Sequence, residues 1–238
     1  MRKLCAIIPA RGGSVGVPKK NISLVNGHPL IAYSIVACKM CSNIDRIIVS
    51  TDDKQIASIA MKYGAEVPFL RPAEFATSTS RDVEFLKHFF EQIAVDDVAL
   101  IRPTTPLRDP KIMEQAIEIY LHNKKDISSL RSLNKINQSP YKMFGIKNNI
   151  CHGFFTDFNG IKNYSNLPRQ AFPDCFEGNG HIDIVKRKTV EAGDAFGSEI
   201  YGFIVDKLID IDSKFDLEIF KLQINTNNDL ITKHLETK

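Results

Sequence analysis

Short apolar segments alternate with longer amphipathic segments through the first half of the chain, and glycine or proline often separates them. The short segments predict strands at Cys5–Pro9, Arg46–Ser50 and Val98–Ile101, with a short edge segment at Val67–Leu70. The longer segments predict helices at Leu30–Ala37, Lys54–Lys62, Asp82–Ile93 and Asp109–Asn123. Such alternation is typical of an α/β fold with a doubly wound, mostly parallel sheet that helices cover on both faces.

The second half of the chain begins with a different pattern. Residues 134–179 contain no convincing helix and are rich in Asn, Gly, Pro and aromatic residues. We interpret this segment as an insertion in a single domain of residues 1–238, one that has no core of its own and buries apolar surface between two subunits. Strand character returns at Ile182–Val185 and Ser198–Val205. Two helices are predicted at Asp216–Asn228 and Asp229–Leu235.

Composition excludes several classes of protein. The 238 residues carry a net charge of +3, which is too small to favour a nucleic-acid partner. No apolar run has the roughly 18 residues of a membrane span, and the N-terminal apolar run is too short for a signal peptide. The five cysteines are an odd number, which favours reduced thiols over a disulfide framework. We therefore expect a cytoplasmic protein with no membrane contact.

A loop with three glycines and three cations follows the first predicted strand. Gly12, Gly13 and Gly16 let the backbone approach a bulky anion, and Arg11, Lys19 and Lys20 bring positive charge. The spacing matches neither the Walker loop nor the dinucleotide fingerprint. Because ligands of parallel sheets bind at the carboxyl ends of strands, this loop predicts a triphosphate site there. An ordinary turn with solvated lysines is the alternative.

Two aspartates near the C-terminus form a candidate metal site. Ile209–Asp212 alternates with period two, which predicts a strand with Asp210 and Asp212 on one face. Paired carboxylates suit Mg²⁺, which keeps several waters and bridges to substrate phosphate. The alternative is a solvated face of an edge strand.

Polar segments follow two further predicted strands. Ser50–Asp53 precedes a helix, so Thr51 or Asp52 is expected to cap it, and Asp52 has an additional possible role at a ribose hydroxyl or a metal-bound water. Thr77–Asp82 precedes the next helix, where Asp82 either belongs to a capping box or accepts from the exocyclic amine of cytosine.

The sequence resembles the acylneuraminate cytidylyltransferases over nearly its whole length. Six segments carry the resemblance, in the order of that family: IIPARGGSVGVPKKN, IDRIIVSTDD, FLRPAEFATSTS, RPTTPLR, LPRQAFPDCFEGNG and IDIDSKFDL. The resemblance implies a nucleotidyltransferase domain with a β-rich dimerisation extension at about residues 134–179. It also implies a homodimer in which each active site borrows residues from the partner.

The resemblance also implies a role for individual residues. It assigns CTP binding to Arg11, Gly13, Ser14, Lys20, Asn21, Arg71, Ser80 and Asp82. It assigns binding of the sugar acid to Arg102, Thr104, Lys142, Arg169 and Asn179, with Arg169 the expected partner of the acid's carboxylate. Asp210 and Asp212 are the implied Mg²⁺ ligands, and Arg11, Lys20 and Asp212 the implied catalytic residues.

The implied reaction is an in-line attack of the sugar's anomeric hydroxyl on the α-phosphorus of CTP, with loss of pyrophosphate. Either a bound metal lowers the pKa of the anomeric hydroxyl so that its proton is lost, or Asp212 accepts that proton through a water. Three departures from the family pattern bear on function. Val15 stands where the family commonly has Lys, so that Lys19 would have to compensate for the missing cation. Arg102 stands where the family has Gln and Asp82 where Ser is common, and these two fit a different acid. The alternatives are therefore another acceptor (a different ulosonic acid, a sugar phosphate or a non-sugar) and a catalytically weakened nucleotide-binding homologue.

Overall fold

The computed structural model describes residues 3–14, 16–226 and 230–236. Strands and helices alternate along the chain. The strands are β1 (Leu4–Pro9), β2 (Leu24–Val25), β3 (His28–Pro29), β4 (Ile44–Ser50), β5 (Asp97–Leu100), β6 (Ser129–Ile136), β7 (Phe144–Lys147), β8 (Ile150–Gly153), β9 (Cys175–Lys186) and β10 (Ile200–Ile204). The helices are α1 (Leu30–Met40), α2 (Lys54–Lys62), α3 (Asp82–Gln92), α4 (Pro110–Asn123), α5 (Arg187–Glu191), α6 (Lys214–Thr226) and α7 (Leu230–Glu236).

Six strands form the central sheet, in the order β10-β6-β9-β5-β1-β4. β1 pairs in parallel with β4 and β5, and β10 pairs in parallel with β6. β9 lies between β5 and β6 and is antiparallel to both. The predicted mostly parallel α/β sheet is confirmed, with β9 as its antiparallel member.

Both faces of the sheet are covered, as predicted. Along β1, Leu4, Ala6 and Ile8 belong to one buried cluster, while Cys5 and Ile7 belong to another. The first cluster includes apolar side chains of α1, α2, α4, α6 and α7, and the second includes those of α3 and α5. Period-two alternation along a strand therefore sends neighbouring side chains into separate cores. None of the helices that the structure describes has the length and hydrophobicity needed to span a bilayer.

Some predicted elements differ from those observed. Ile209–Asp212 is not a strand, because the N–H of Ile211 donates to the carbonyl of Thr104 and the ammonium of Lys20 donates to the carbonyl of Ile211. These contacts take the place of a strand ladder. Val67–Leu70 also has no strand; Glu66 alone makes an isolated bridge there. Residues 227 and 228 of the helix predicted at 216–228, and residue 229 of the helix predicted at 229–235, lie outside the described ranges.

The predicted extension contains a hairpin and a small aromatic core. β7 and β8 pair as an antiparallel hairpin. Tyr141 stacks on Phe172 with 5.2 Å between ring centroids, and Tyr164 and Phe172 are buried. The expectation that this segment lacks a core of its own is therefore wrong, because its aromatic residues pack on one another. The two ends of the segment belong to β6 and β9 of the central sheet.

Candidate active site

A cavity of about 460 Å³ opens at the carboxyl ends of β1 and β5. Polar loops from distant parts of the chain meet there, as the parallel topology requires. Its lining includes these predicted site residues: Arg11, Ser14, Lys20, Asn21, Arg71, Ser80, Asp82, Arg102, Thr104 and Asp212. The sheet thus brings most of the residues assigned to CTP, one metal ligand and two of the sugar-site residues to one cavity.

The glycine-bearing loop is fixed at both of its ends. The N–H of Gly12 donates to Oδ1 of Asp52 at 2.9 Å, and the amide of Asn21 donates to the carbonyl of Arg11 at 3.0 Å. Arg11 reaches across the cavity to donate to the carbonyl of Thr77. Glycine is required at position 16, where a Cβ would lie 2.0 Å from the carbonyl oxygen of Asp212.

Lys20 and Asp212 join this loop to the C-terminal segment. Lys20 begins a 3₁₀ turn (Lys20–Ile22), and its Nζ lies 3.2 Å from Oδ1 of Asp212. The side chain of Asp212 is 78 % exposed, so its carboxylate is open to solvent at the edge of the cavity. Asp216 accepts from the N–H groups of Asp212 and Ser213 and so fixes the backbone beneath this carboxylate.

Arg71 is a buried cation in the lining of the cavity. Its guanidinium donates to the hydroxyl and to the carbonyl of Ser50, at 3.0 and 2.6 Å, and lies 4.7 Å from the ring centroid of Phe85. Burial lowers the pKa of Arg71 to about 10, with the charges of Asp52 and Asp82 opposing that effect. Arg71 is therefore still a cation at neutral pH.

Helix caps leave two aspartates free for other contacts. Asp53, and not Thr51 or Asp52, caps α2 by accepting from the N–H groups of Gln55 and Ile56. The prediction for Thr51 and Asp52 is therefore wrong, because Asp53 is the residue directly before Lys54, and Asp52 binds the loop at Gly12.

The cap of α3 excludes the capping-box role predicted as one alternative for Asp82. Arg81 is the N-cap residue, and the carboxylate of Glu84 accepts from its N–H. Asp82 is the first helical residue, and its carboxylate is the partner of Arg102, with 2.6 Å between Nη2 and Oδ2. Ser80 lines the cavity beside it and accepts from the N–H of Thr77 at 3.0 Å.

Several predicted residues are not in the lining of this cavity. Gly13 and Asp210 are exposed and lie within two residues of Ser14 and Asp212, which line the cavity. Asn179 is buried, and its side-chain oxygen accepts from the N–H of His181. Lys142 and Arg169 lie in the extension. Arg169 lines a separate cavity of about 370 Å³, where it donates to Asn137, and Lys142 donates to the carbonyl of Ser165.

The departure from the family pattern at Val15 concerns Lys19, the nearby cation. Lys19 donates to Gln55 and is not in the lining of the cavity, and Val15 lies outside the described residues.

Among the described residues no group of three or more His, Cys, Asp or Glu is arranged to hold a metal. The exposed carboxylate of Asp212 nevertheless fits Mg²⁺, since that ion needs only one or two carboxylates when substrate phosphates and waters complete its shell.

Comparison with known proteins decides the family. Residues 5–150 match the family model described as Cytidylyltransferase, which covers more than half of the chain. The chain belongs to the cytidylyltransferase family. It is 34 % identical to the CMP-N,N'-diacetyllegionaminic acid synthase of Legionella pneumophila, over 96 % of this chain and 99 % of that protein.

Other relatives and one solved structure agree with this assignment. The cytidylyltransferase is 32 % identical to the N-acylneuraminate cytidylyltransferase of Escherichia coli, over 91 % of this chain and 51 % of that protein. Its fold is similar to that of a CMP:2-keto-3-deoxy-manno-octonic acid synthetase solved with CTP. The TM-score is 0.71 at 15 % identity, covering 95 % of this chain and 99 % of that one. The resemblance and the enzyme class predicted from the sequence are confirmed.

Arg108, to which the sequence analysis assigned no role, supports the segments beside the active-site cavity of this cytidylyltransferase. Arg108 is fully buried and donates to the carbonyls of Arg102 (2.6 Å), His181 (2.9 Å) and Gly180 (3.3 Å), and to the hydroxyls of Ser34 and Thr105. Burial lowers the pKa of Arg108 to about 10, opposed by the charge of Asp210 among others. The signal was its place at the end of RPTTPLR, but sequence alone did not distinguish a buried anchor from a surface cation.

Proposed function

We propose that this cytidylyltransferase transfers the CMP group of CTP to the anomeric hydroxyl of a nonulosonic acid and releases pyrophosphate. One observation carries the proposal: the glycine-bearing loop, with Lys20, and the carboxylate of Asp212 face the same cavity. The names of relatives supply the acceptor class, since they specify legionaminic, N-acylneuraminic and pseudaminic acids.

The triphosphate binds along the loop in this proposal. Arg11, Ser14, Lys20 and Asn21 line the phosphate end, and Gly13 belongs to the same loop. Fixed cations and N–H groups stabilise the charge that builds on the phosphate oxygens in the transition state. Arg71, Ser80 and Asp82 also line the cavity and are proposed to contact the nucleoside.

The chemical step forms one bond and breaks one bond. The anomeric hydroxyl oxygen attacks the α-phosphorus in line, and the bond between the α-phosphorus and the bridging oxygen to the β-phosphate breaks. The side chain of Asp212 is 78 % exposed at the cavity, so Asp212 is the carboxylate we assign to accept the hydroxyl proton, through a water. Asp212 with Asp210 would hold Mg²⁺, which supplies charge neutralisation at the phosphates when bound.

We further propose that the enzyme is a homodimer that acts in the cytoplasm, where CTP is available. Arg102 and Thr104 line the cavity and are proposed to contact the acceptor. Asn179 lies one residue before Gly180, whose carbonyl accepts from the hydroxyl of Thr105. Lys142 and Arg169 lie in the extension, where exposed apolar side chains are available to a second copy. In the dimer, Lys142 and Arg169 of one copy complete the acceptor site of the other, and Arg169 pairs with the carboxylate of the acid.

The test is pyrophosphate release with CTP, Mg²⁺ and a panel of nonulosonic acids, followed by identification of the product by mass. We expect release with at least one acid, none without acid, none after EDTA, and recovery when Mg²⁺ is added back. Sugar phosphates and other nucleoside triphosphates are the controls. Measurable CTP binding with no release from any acid would contradict the proposal, and release with a sugar phosphate alone would assign a different acceptor.

A further inference from the structure

Four charged residues form a continuous network from the cavity into the sheet. Arg102 contacts Asp82 through both terminal nitrogens, at 2.6 and 3.4 Å, and its Nη2 lies 3.6 Å from Oδ2 of Asp183. The other oxygen of Asp183 lies 3.5 Å from Nε of Arg131. We call Asp82, Arg102, Asp183 and Arg131 the ion-pair network. Its formal charges cancel.

Asp183 is the most buried member of the ion-pair network, and Arg131 beyond it is 33 % exposed. Asp82 and Arg102 line the cavity and are about one-third and one-quarter exposed, whereas the side chain of Asp183 is 2 % exposed. Asp183 lies on β9, where it is in register with Leu100 of β5 and Arg131 of β6. A carboxylate at this depth needs positive partners, and two guanidinium groups supply them.

The contacts place Arg102 between two carboxylates of different elements. Asp82 holds it by hydrogen bonds from the start of α3, and Asp183 on β9 is an ion-pair partner at 3.6 Å. Burial alone would lower the pKa of Arg102, but the hydrogen bond and charge of Asp82, with the charge of Asp183, raise it above the usual value. Arg131 is held in turn by the ring of Phe196, whose centroid lies 4.1 Å from its guanidinium carbon.

We propose that Asp183 is a positioning residue for the acceptor site, because together with Asp82 it holds the guanidinium of Arg102 in one orientation at the cavity. This inference rests on the proposed function, in which Arg102 contacts the sugar acid. An arginine already ordered before binding loses less rotamer freedom when the acid arrives, so the orientation increases affinity for the acid. Arg131 neutralises the charge of Asp183 and has no direct part in binding.

A purely structural role makes a different prediction. If Asp183 only neutralised Arg131, the Asp183→Asn variant would lose stability, and removing the charge of Arg131 as well would restore both stability and activity. A positioning role separates the two properties. Stability would return in the double variant, whereas the affinity for the acid would not.

The experiment compares Asp183→Asn, Arg131→Gln and the double variant with wild type, measuring kcat, both KM values and thermal stability. We expect a rise of about tenfold in KM for the acid in Asp183→Asn and in the double variant, with KM for CTP nearly unchanged. Asp97→Asn is the matched control, because Asp97 is also a buried, ion-paired carboxylate, at the opposite end of β5 from Leu100. It should lose stability and keep its KM for the acid. Recovery of the acid KM in the double variant would overturn the proposal.

A second measurement separates this inference from the proposed function. A crystal structure of the charge-balanced double variant reports the Arg102 side chain directly, even if Asp183→Asn alone fails to fold. We expect Arg102 to leave its orientation against Asp82 or to occupy several. An unchanged, single orientation would overturn the positioning role whatever the activity. Absence of turnover by wild type with every acid would instead refute the proposed function, and the orientation of Arg102 would still decide this inference.

Discussion

Lys20 and Asp212 form an ion pair across 192 positions of sequence, with 3.2 Å between Nζ and Oδ1. The same ammonium donates to the carbonyl of Ile211, and Gly16 admits the carbonyl of Asp212 where a side chain would collide. The C-terminal segment is thus packed directly on the glycine-bearing loop. A triphosphate on that loop and a cation on Asp212 would occupy adjacent space, as in-line nucleotidyl transfer requires.

Replacing Asp212 by Asn should reduce kcat by about a hundredfold or more while changing CTP affinity much less. The carboxylate acts mainly on charge that develops in the transition state, and the loop retains its cations. Pyrophosphate release gives kcat, and calorimetric titration gives CTP affinity. Glu218→Gln, a surface carboxylate on α6 that pairs with Lys221, is the control and should retain full activity. Equal kcat in Asp212→Asn and wild type would remove Asp212 from the reaction.

Replacing Arg108 by Met should lower the free energy of unfolding by about 3 kcal/mol. The substitution removes the guanidinium donor from the carbonyls of Arg102, Gly180 and His181. Arg108→Lys should recover only part of the loss, because an ammonium lacks the fork that reaches several carbonyls. Urea denaturation measures the change.

The matched control for Arg108 is Arg46→Met. Arg46 forms a half-exposed pair with Glu66 at 2.7 Å, and such pairs contribute about 1 kcal/mol or less. A similar loss of stability in the two variants would show that the hydrogen bonds of Arg108 to these carbonyls do not stabilise the fold more than a surface ion pair does.

Stability should fall as the pH is lowered from about 6.5 toward 4, and His181 should account for part of the slope. Burial, followed by the charge of Arg108, lowers the pKa of His181 from its usual 6.5 to about 4. Over this range the unfolded chain binds a proton that the folded protein excludes, which costs up to about 3 kcal/mol of stability. Urea denaturation across this pH range should show a shallower slope for His181→Leu. His152→Leu, on the exposed hairpin, should keep the wild-type slope; identical slopes in all three proteins would contradict the assignment.

Replacing Ile146 by Asp should convert the proposed dimer to a monomer. Ile146 is 73 % exposed on the β7–β8 hairpin of a single chain, and a charge there would be costly to bury between two copies. Sedimentation velocity at micromolar concentration measures the change. Met61→Asp, at a 54 % exposed apolar position on α2, is the control and should remain a dimer. A wild-type monomer would refute the dimer itself.

Local patterns predicted the first half of the fold well because each element there has a clear period. β1, β4 and α2 match their predicted positions within two residues, and β5 is displaced by one. β6 was missed because its sequence, SLRSLNKI, mixes polar with apolar residues, several of which are buried polar groups. Only four residues of β9 were predicted, since Gly178 and Gly180 resemble turn signals although they lie inside a twelve-residue strand.

The sequence by itself determined the α/β fold and the loop at residues 11–21, because periodicity, glycine spacing and charge act over a few neighbouring residues. It also indicated the family, through the resemblance of six segments in order. Tertiary structure decided which of the predicted residues share a cavity. The insertion of β9 between β5 and β6 placed Asp183 beside Arg102, and the packing of residues 209–212 on the loop placed Asp212 beside Lys20. These contacts join residues distant in sequence, and their geometry depends on strand order, which no local pattern specifies.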